Sequence, residues 1–231
     1  MTLPLRGSPY YHVSPGSASC YGDQTFALLR SMAAAGAATS DLLGYMKGLE
    51  ELCGEGSAYG PMGCSLCPPA PRPPPAVPAS PWPPELSRTL GRRVIEKSEY
   101  PISGPWRHGS LKGFFKNVAE GKATPATSGG DDKQIDGATK MPPIVAAFAA
   151  QGEAKVLAEA EAAIRVTQDT DEAVAMGLAF ARILYSAVTG SAATPAAAVT
   201  QCIEALRDPD RAQPVTPSPM HLGDAVWTRS I

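Results

Sequence analysis

Apolar side chains follow a helical period directly after a short polar turn near the start of the chain. Phe26, Leu29 and Ala33 recur at i, i+3 and i+7, the spacing of one face of an α-helix. Gly22 allows the backbone to turn before this stretch, and Asp23 can accept hydrogen bonds from the first N–H groups of the helix. We therefore predict a helix with Asp23 as its N-cap and with Phe26 and Leu29 in the core.

The same period predicts further helices along the chain. Ser110 and the pair Asp169 and Glu172 have the residue types and spacing of N-terminal caps, and Thr194 precedes Pro195 at another predicted start. These features together predict an all-α fold with one core. The predicted helices cover residues 42–53, 110–118, 142–148, 153–166, 169–184 and 194–206, and the predicted core contains Phe26, Leu29, Leu111, Phe115, Ile164, Val174, Leu178 and Ile203.

Proline interrupts the helical pattern. Residues 68–84 hold ten prolines in seventeen positions, a density that removes backbone donors and favours polyproline II. Arg72, Pro75 and Pro78 match the Arg-x-x-Pro-x-x-Pro pattern of some SH3 ligands, but such proline density produces this match by chance, so we expect no SH3-type partner. The predicted organisation is a helical part over 1–60, a disordered insert over 61–103, a helical continuation over 104–207 and a loose tail over 208–231.

Composition is that of a soluble globular protein, with 44% hydrophobic and 18% charged residues. A formal net charge of −2 gives no long-range attraction for phosphate backbones, so we expect no nucleic-acid partner. The histidines His12, His108 and His221 are too scattered to predict a zinc site. Five cysteines and the lack of an N-terminal apolar run favour the reducing cytoplasm, and no stretch approaches the ~20 apolar residues of a membrane span.

Four segments carry a resemblance to a known family. The segment 8–24 ends in Cys-Tyr-Gly-Asp-Gln, and Gly104–Lys112 reads Gly-Pro-Trp-Arg-His-Gly-Ser-Leu-Lys. Asp136–Pro143 is similar to a loop of the form Asn-Gly-x-x-Met-Arg-x-Pro, and Val166–Ala173 follows in the same order. Together they resemble the ADP-ribosylglycohydrolase family, most closely its lens J-crystallin branch. The resemblance implies an orthogonal helical bundle, here incomplete at its C-terminal end.

The resemblance also implies a chemistry. In this family two magnesium ions, held by acids of the first loop and of a late Asp-x-Asp motif, orient ADP-ribose and the water that cleaves its glycosidic bond. Magnesium requires hard oxygen ligands, which explains the clustered acids. The implied substrate is an ADP-ribosylated protein or a small ADP-ribose derivative, and no catalytic residue is assigned. The resemblance assigns Asp23 and Thr25 to the metal, with Gln24 as a weaker ligand, and Gly137, Ala138 and Thr139 to the substrate.

The chain departs from the family pattern at its metal ligands. Gln24 stands where most family members have a second aspartate, and a neutral carbonyl is a weaker ligand for a divalent cation. Residues 129–132 read Gly-Gly-Asp-Asp but precede the loop Asp136–Pro143, so we do not assign them to the family's late Asp-x-Asp motif. Three hypotheses follow: a hydrolase of impaired activity, a non-catalytic crystallin-like relative with a structural role or weak nucleotide binding, and a proline-rich interaction protein. We favour the second for this chain.

Overall fold

The computed structural model of the chain describes residues 11–13, 16–36, 40–59 and 102–207. These residues fall into two compact units. One unit contains the described residues up to 19 together with 54–59 and 102–106, and the other contains 20–36, 40–53 and 107–207. Residues 61–101 of the insert predicted over 61–103, the SH3-like pattern and the tail predicted over 208–231 lie outside the described residues, whereas residues 102–103 of the insert are described.

Helices account for nearly all the regular structure among the described residues, so the prediction of an all-α fold is confirmed. The first unit holds a short parallel pair of strands, β1 (Tyr11–His12) and β2 (Ile102–Ser103). The second unit holds α1 (Cys20–Ala34), α2 (Leu42–Cys53), α3 (Gly109–Ala119), α4 (Met141–Phe148), α5 (Glu153–Arg165), α6 (Asp171–Thr189) and α7 (Pro195–Arg207), with 3₁₀ helices at Ile135–Lys140 and Ala149–Gln151. We call the first of these the 135–140 helix.

The first helix differs from its prediction in both its start and its buried face. It begins at Cys20, so Asp23 lies in the first turn and is not the N-cap. Leu28 is fully buried, whereas Phe26 and Leu29 are 52% and 51% exposed. The reason is the approach of α2, whose Gly48 lies against Ala27 and so selects that side of α1. The prediction that Phe26 and Leu29 belong to the core is therefore wrong.

Caps were predicted well where proline follows and less well elsewhere. The helix α7 begins at Pro195, which confirms the predicted start, and Ala197 N–H donates to Thr194 Oγ1 at 3.1 Å. The N-cap of α6 is Thr170, which accepts from Ala173 N–H, so the predicted Asp169 cap is displaced by one residue. Similarly α3 begins at Gly109 after His108, and Ser110 is buried inside its first turn. In both cases the predicted cap has another partner, since Asp169 pairs with Arg165 and Ser110 donates to Asp136.

The core of the second unit forms where α6 packs against its neighbours. This helix contacts α4, α5, α7 and the 135–140 helix. Gly177 of α6 allows a close approach to Ile164 of α5, because a side chain there would meet the isoleucine Cδ1. The six remaining predicted core residues are buried, which confirms that part of the prediction: Leu111, Phe115, Ile164, Val174, Leu178 and Ile203.

By length and composition alone, α6 could also cross a membrane. Core helices of globular proteins pass the same test, and one side of α6 is buried at Val174, Leu178 and Ala181. Packing inside the unit accounts for this side only, since Phe180 and Val188 of the same helix are 38% and 60% exposed. The expectation of no membrane partner stays a prediction.

Candidate functional site

A group of polar side chains lies inside the core between α1, α2, the start of α3 and the 135–140 helix. Gln24, Tyr45, His108, Ser110 and Asp136 are all buried. Buried polar groups are stable only when they are hydrogen-bonded to one another or to the backbone. We call these five residues the polar network.

Asp136 is the acceptor at the centre of the polar network. Its Oδ2 accepts from Ser110 Oγ at 2.6 Å and from Gln24 Nε2 at 3.3 Å, and it lies 3.3 Å from His108 Nδ1. Its other oxygen, Oδ1, has no hydrogen-bond partner in the described structure. One carboxylate oxygen therefore receives polar groups from two separate segments of the chain, one at Gln24 and one at His108–Ser110.

Gln24 points into the core from the first loop of the sequence resemblance. Its Nε2 lies 2.6 Å from His108 Nε2, and Tyr45 O–H donates to its Oε1 at 3.5 Å. Burial raises the pKa of Tyr45 well above its usual value, and the charge of Asp136 adds to this effect. Tyr45 therefore remains a neutral donor, and both ends of the Gln24 amide have partners inside the protein.

His108 is buried beneath the ring of Tyr21, with ring centroids 4.7 Å apart and planes 11° from parallel. Burial lowers the pKa of His108 because the charged imidazolium is poorly solvated in the core, although Asp136 opposes this effect. The imidazole is therefore neutral at neutral pH. One nitrogen faces Gln24 and the other faces Ser110 at 2.9 Å.

Ser110, His108 and Asp136 are the residue types of a nucleophilic triad, but their order is different. In such a triad the histidine lies between the serine and the acid and takes the serine proton. Here Ser110 donates directly to Asp136 and is fully buried. The serine oxygen is therefore engaged in a structural hydrogen bond and is not an accessible nucleophile.

Lys140 brings a cation into the same region. Its side chain is fully buried and its Nζ donates to Thr167 Oγ1 at 2.6 Å. Burial lowers the pKa of Lys140 to about 8, against the opposing charges of Asp136 and Asp132. The two carboxylates therefore supply part of the negative charge that a buried ammonium group requires.

The residues predicted to hold magnesium do not fit a magnesium site. The Gln24 carbonyl faces Tyr45 in the core, and the Thr25 hydroxyl donates to backbone carbonyls of Tyr21 at 3.0 Å and Thr139 at 2.8 Å. This leaves the half-buried carboxylate of Asp23 and the lone pairs of the Thr25 hydroxyl, whereas Mg²⁺ needs several fixed oxygens in octahedral geometry. Across the described ranges, no group of three or more His, Cys, Asp or Glu side chains could hold a metal ion.

The residues predicted to bind substrate lie together in the middle of the 135–140 helix. Gly137 is buried against Ile164 and Gln168, while Ala138 and Thr139 are half-buried. Thr139 Oγ1 donates to Asp136 O at 2.7 Å, and Thr139 O accepts from Thr25. The structure thus brings Thr25 and the predicted substrate segment into contact, and the role of this segment in binding stays a prediction.

The acids after the Gly129–Gly130 pair have a different location. Asp131 is exposed, whereas Asp132 accepts from Gln134 N–H at 2.8 Å and lies over Gly109 at the start of α3. A carboxylate at a helix N-terminus is favoured by the helix dipole. Asp132 therefore has a structural role at α3.

Sequence reasoning missed most of the polar network. We predicted no site role for Tyr45, His108, Ser110 or Lys140. One signal was present, since Gln24 lies three and four positions before Ala27 and Leu28, at the spacing of one helical face. The contacts themselves join residues up to 112 positions apart, which no local pattern indicates.

No curated protein and no solved structure matches this chain significantly. The family model described as ADP-ribosylglycohydrolase matches residues 4–230. That match spans nearly the whole chain, and the helical fold of the described residues is consistent with it. The chain therefore belongs to the ADP-ribosylglycohydrolase family.

Proposed function

We propose that this chain is a non-hydrolytic member of the ADP-ribosylglycohydrolase family that keeps the helical scaffold and binds ADP-ribosyl groups weakly. The observation that carries the proposal is the inward orientation of Gln24, whose two amide ends face His108 and Tyr45. An oxygen that faces a tyrosine in the core is not offered to a metal ion. The first loop then supplies one carboxylate, Asp23, to any cation.

The small number of available oxygen ligands supports the absence of magnesium-dependent hydrolysis. Mg²⁺ dehydrates reluctantly, so several fixed oxygens must replace the water that it loses. The Thr25 hydroxyl donates its one proton to the backbone carbonyls of Tyr21 and Thr139, so its oxygen offers one neutral ligand beside the Asp23 carboxylate. One carboxylate and one hydroxyl are too few ligands to hold Mg²⁺ where it could activate a water.

The proposed ligand is an ADP-ribosylated protein or a small ADP-ribose derivative, in keeping with the family. The half-buried segment Ala138–Thr139, beside Thr25, is the proposed contact. A structural role, as in the J-crystallin branch of the family, is the more specific form of the same proposal. We also propose a cytoplasmic location, on the basis of the odd number of cysteines.

The experiment measures ADP-ribose release from a mono-ADP-ribosylated protein by the full chain, with and without Mg²⁺, together with ADP-ribose binding by calorimetry. We expect no magnesium-dependent release and weak, magnesium-independent binding. Asp23→Asn should leave both results unchanged, and Asp131→Asn provides an exposed aspartate as the matched control. Robust magnesium-dependent release that Asp23→Asn abolishes would establish the hydrolase hypothesis instead, and failure to bind ADP-ribose would refute the binding proposal.

A further inference from the structure

The hydrogen bonds around His108 determine which ring nitrogen carries the proton. Gln24 Nε2 lies 2.6 Å from His108 Nε2 and 3.3 Å from Asp136 Oδ2. An amide nitrogen is a donor only, so His108 Nε2 must be the unprotonated acceptor. The reverse amide orientation would place Gln24 Oε1 against the carboxylate oxygen of Asp136, with two acceptors facing each other. The amide orientation therefore follows from Asp136.

The hydrogen bond on the opposite side of the His108 ring independently gives the same position for the proton. His108 Nδ1 lies 2.9 Å from Ser110 Oγ, and Ser110 Oγ donates its single proton to Asp136 Oδ2 at 2.6 Å. Ser110 Oγ can then only accept from His108, so Nδ1 carries the hydrogen. Each residue of the polar network therefore donates to the next, in the order Tyr45, Gln24, His108, Ser110 and Asp136.

We propose that Gln24 is a positioning residue that holds neutral His108 in its Nδ1–H tautomer and, through Ser110, joins α1 to the 135–140 helix. The inference goes beyond the proposed function, because it concerns hydrogen bonds that are present without any ligand. It also explains why an amide is needed at this position, because the two N–H groups of Gln24 bridge His108 and Asp136. The segment that carries Gly137–Thr139 is thus joined to α1 by the amide of Gln24.

Nitrogen-15 NMR of the histidine rings in the full chain tests this inference directly. His12→Gln and His221→Gln remove the other two rings, so the remaining signals belong to His108. We expect the wild-type spectrum to show a neutral ring protonated at Nδ1. In Gln24→Glu a carboxylate replaces the amide donor and adds a second negative charge beside Asp136, so His108 Nε2 should gain a proton and the ring should become positively charged. Gln151→Glu, at an exposed glutamine, should change nothing.

Thermal unfolding supplies a second measurement. Gln24→Met keeps a similar volume but removes every polar contact of the amide, so its melting temperature should fall well below that of the matched Gln151→Met. A wild-type His108 protonated at Nε2 would overturn the inference, and that result does not depend on whether any variant folds. An unchanged tautomer in folded Gln24→Glu, or an unchanged melting temperature in Gln24→Met, would also overturn it. None of these results depends on ADP-ribose release, so the inference and the proposed function fail separately.

Discussion

Lys140 at the end of the 135–140 helix donates a 2.6 Å hydrogen bond to Thr167, which follows the C-terminus of α5, although both side chains are fully buried. A helix C-terminus favours a nearby cation because its carbonyls point outward along the axis. This favourable location does not fully offset the loss of water, since burial lowers the pKa of Lys140 from 10.5 to about 8. The link between the two elements therefore depends on pH.

Lys140→Met should change how stability varies with pH. Below about pH 8 both the folded and unfolded forms of Lys140 are protonated, and the cost of burying the charge is fully present. Between about pH 8 and about pH 10 the folded lysine loses its proton while the unfolded one keeps it, so stability rises. From about pH 7 to about pH 9 the wild type should gain roughly 1 kcal/mol relative to Lys140→Met.

Urea unfolding of both proteins at the two pH values measures this difference. Burial raises the pKa of Cys20 to about 11, so that thiol lowers stability at high pH in both proteins, and its contribution cancels in the comparison. Parallel changes in the wild type and Lys140→Met would show that Lys140 titrates normally in the folded protein.

Leu28 and Leu29 are adjacent residues with opposite surroundings, fully buried and 51% exposed. Leu28→Ala should cost about 2–5 kcal/mol, because it removes buried methyl groups and leaves a cavity. Leu29→Ala should cost less than about 1 kcal/mol, since the side chain already contacts water. Chemical denaturation of the two variants decides between the buried face in the structure and the face predicted from periodicity. Equal losses would contradict the orientation of α1.

Thr170 and Asp169 offer a similar comparison at the start of α6. Thr170 Oγ1 accepts from Ala173 N–H and donates to Asp132 O at 3.0 Å, so Thr170→Ala should cost roughly 1–2 kcal/mol. Asp169 pairs with Arg165 at 2.6 Å and is half-exposed, so Asp169→Ala should cost under about 1 kcal/mol. Thermal melts followed by circular dichroism would show the difference. A larger loss of stability in Asp169→Ala than in Thr170→Ala would indicate that Asp169 is the N-cap of α6.

Gly130 and Gly113 bring the loop before the 135–140 helix against α3. A Cβ on Gly130 would lie 2.6 Å from Gly113 Cα, and backbone cannot move aside as a flexible side chain can. Gly130→Ala should therefore destabilise the protein by about 1–3 kcal/mol through overpacking. Ala126→Ser, at an exposed position of the same loop, is the control and should be neutral. Equal melting temperatures for the two variants would contradict this close approach.

The sequence by itself determined the helical elements and the family. Apolar spacing located the α-helices of the described core, and Pro142–Pro143 and Pro195 marked two helix starts, because proline fixes φ and lacks the N–H that a first turn leaves unpaired. These signals are local, so a single sequence contains them. The same is true of the short family segments, which need only a few residues in order.

The tertiary structure decided which face of α1 is buried and what its polar residues contact. Phe26, Leu28 and Leu29 are all apolar, so periodicity allowed two faces, and the contact of Gly48 with Ala27 selected one. Whether Gln24 ligates a cation or bridges His108 and Asp136 depends on residues that are 84 and 112 positions away. Hydrogen bonds need atoms within about 3 Å of one another, and only the packing of distant segments creates that proximity.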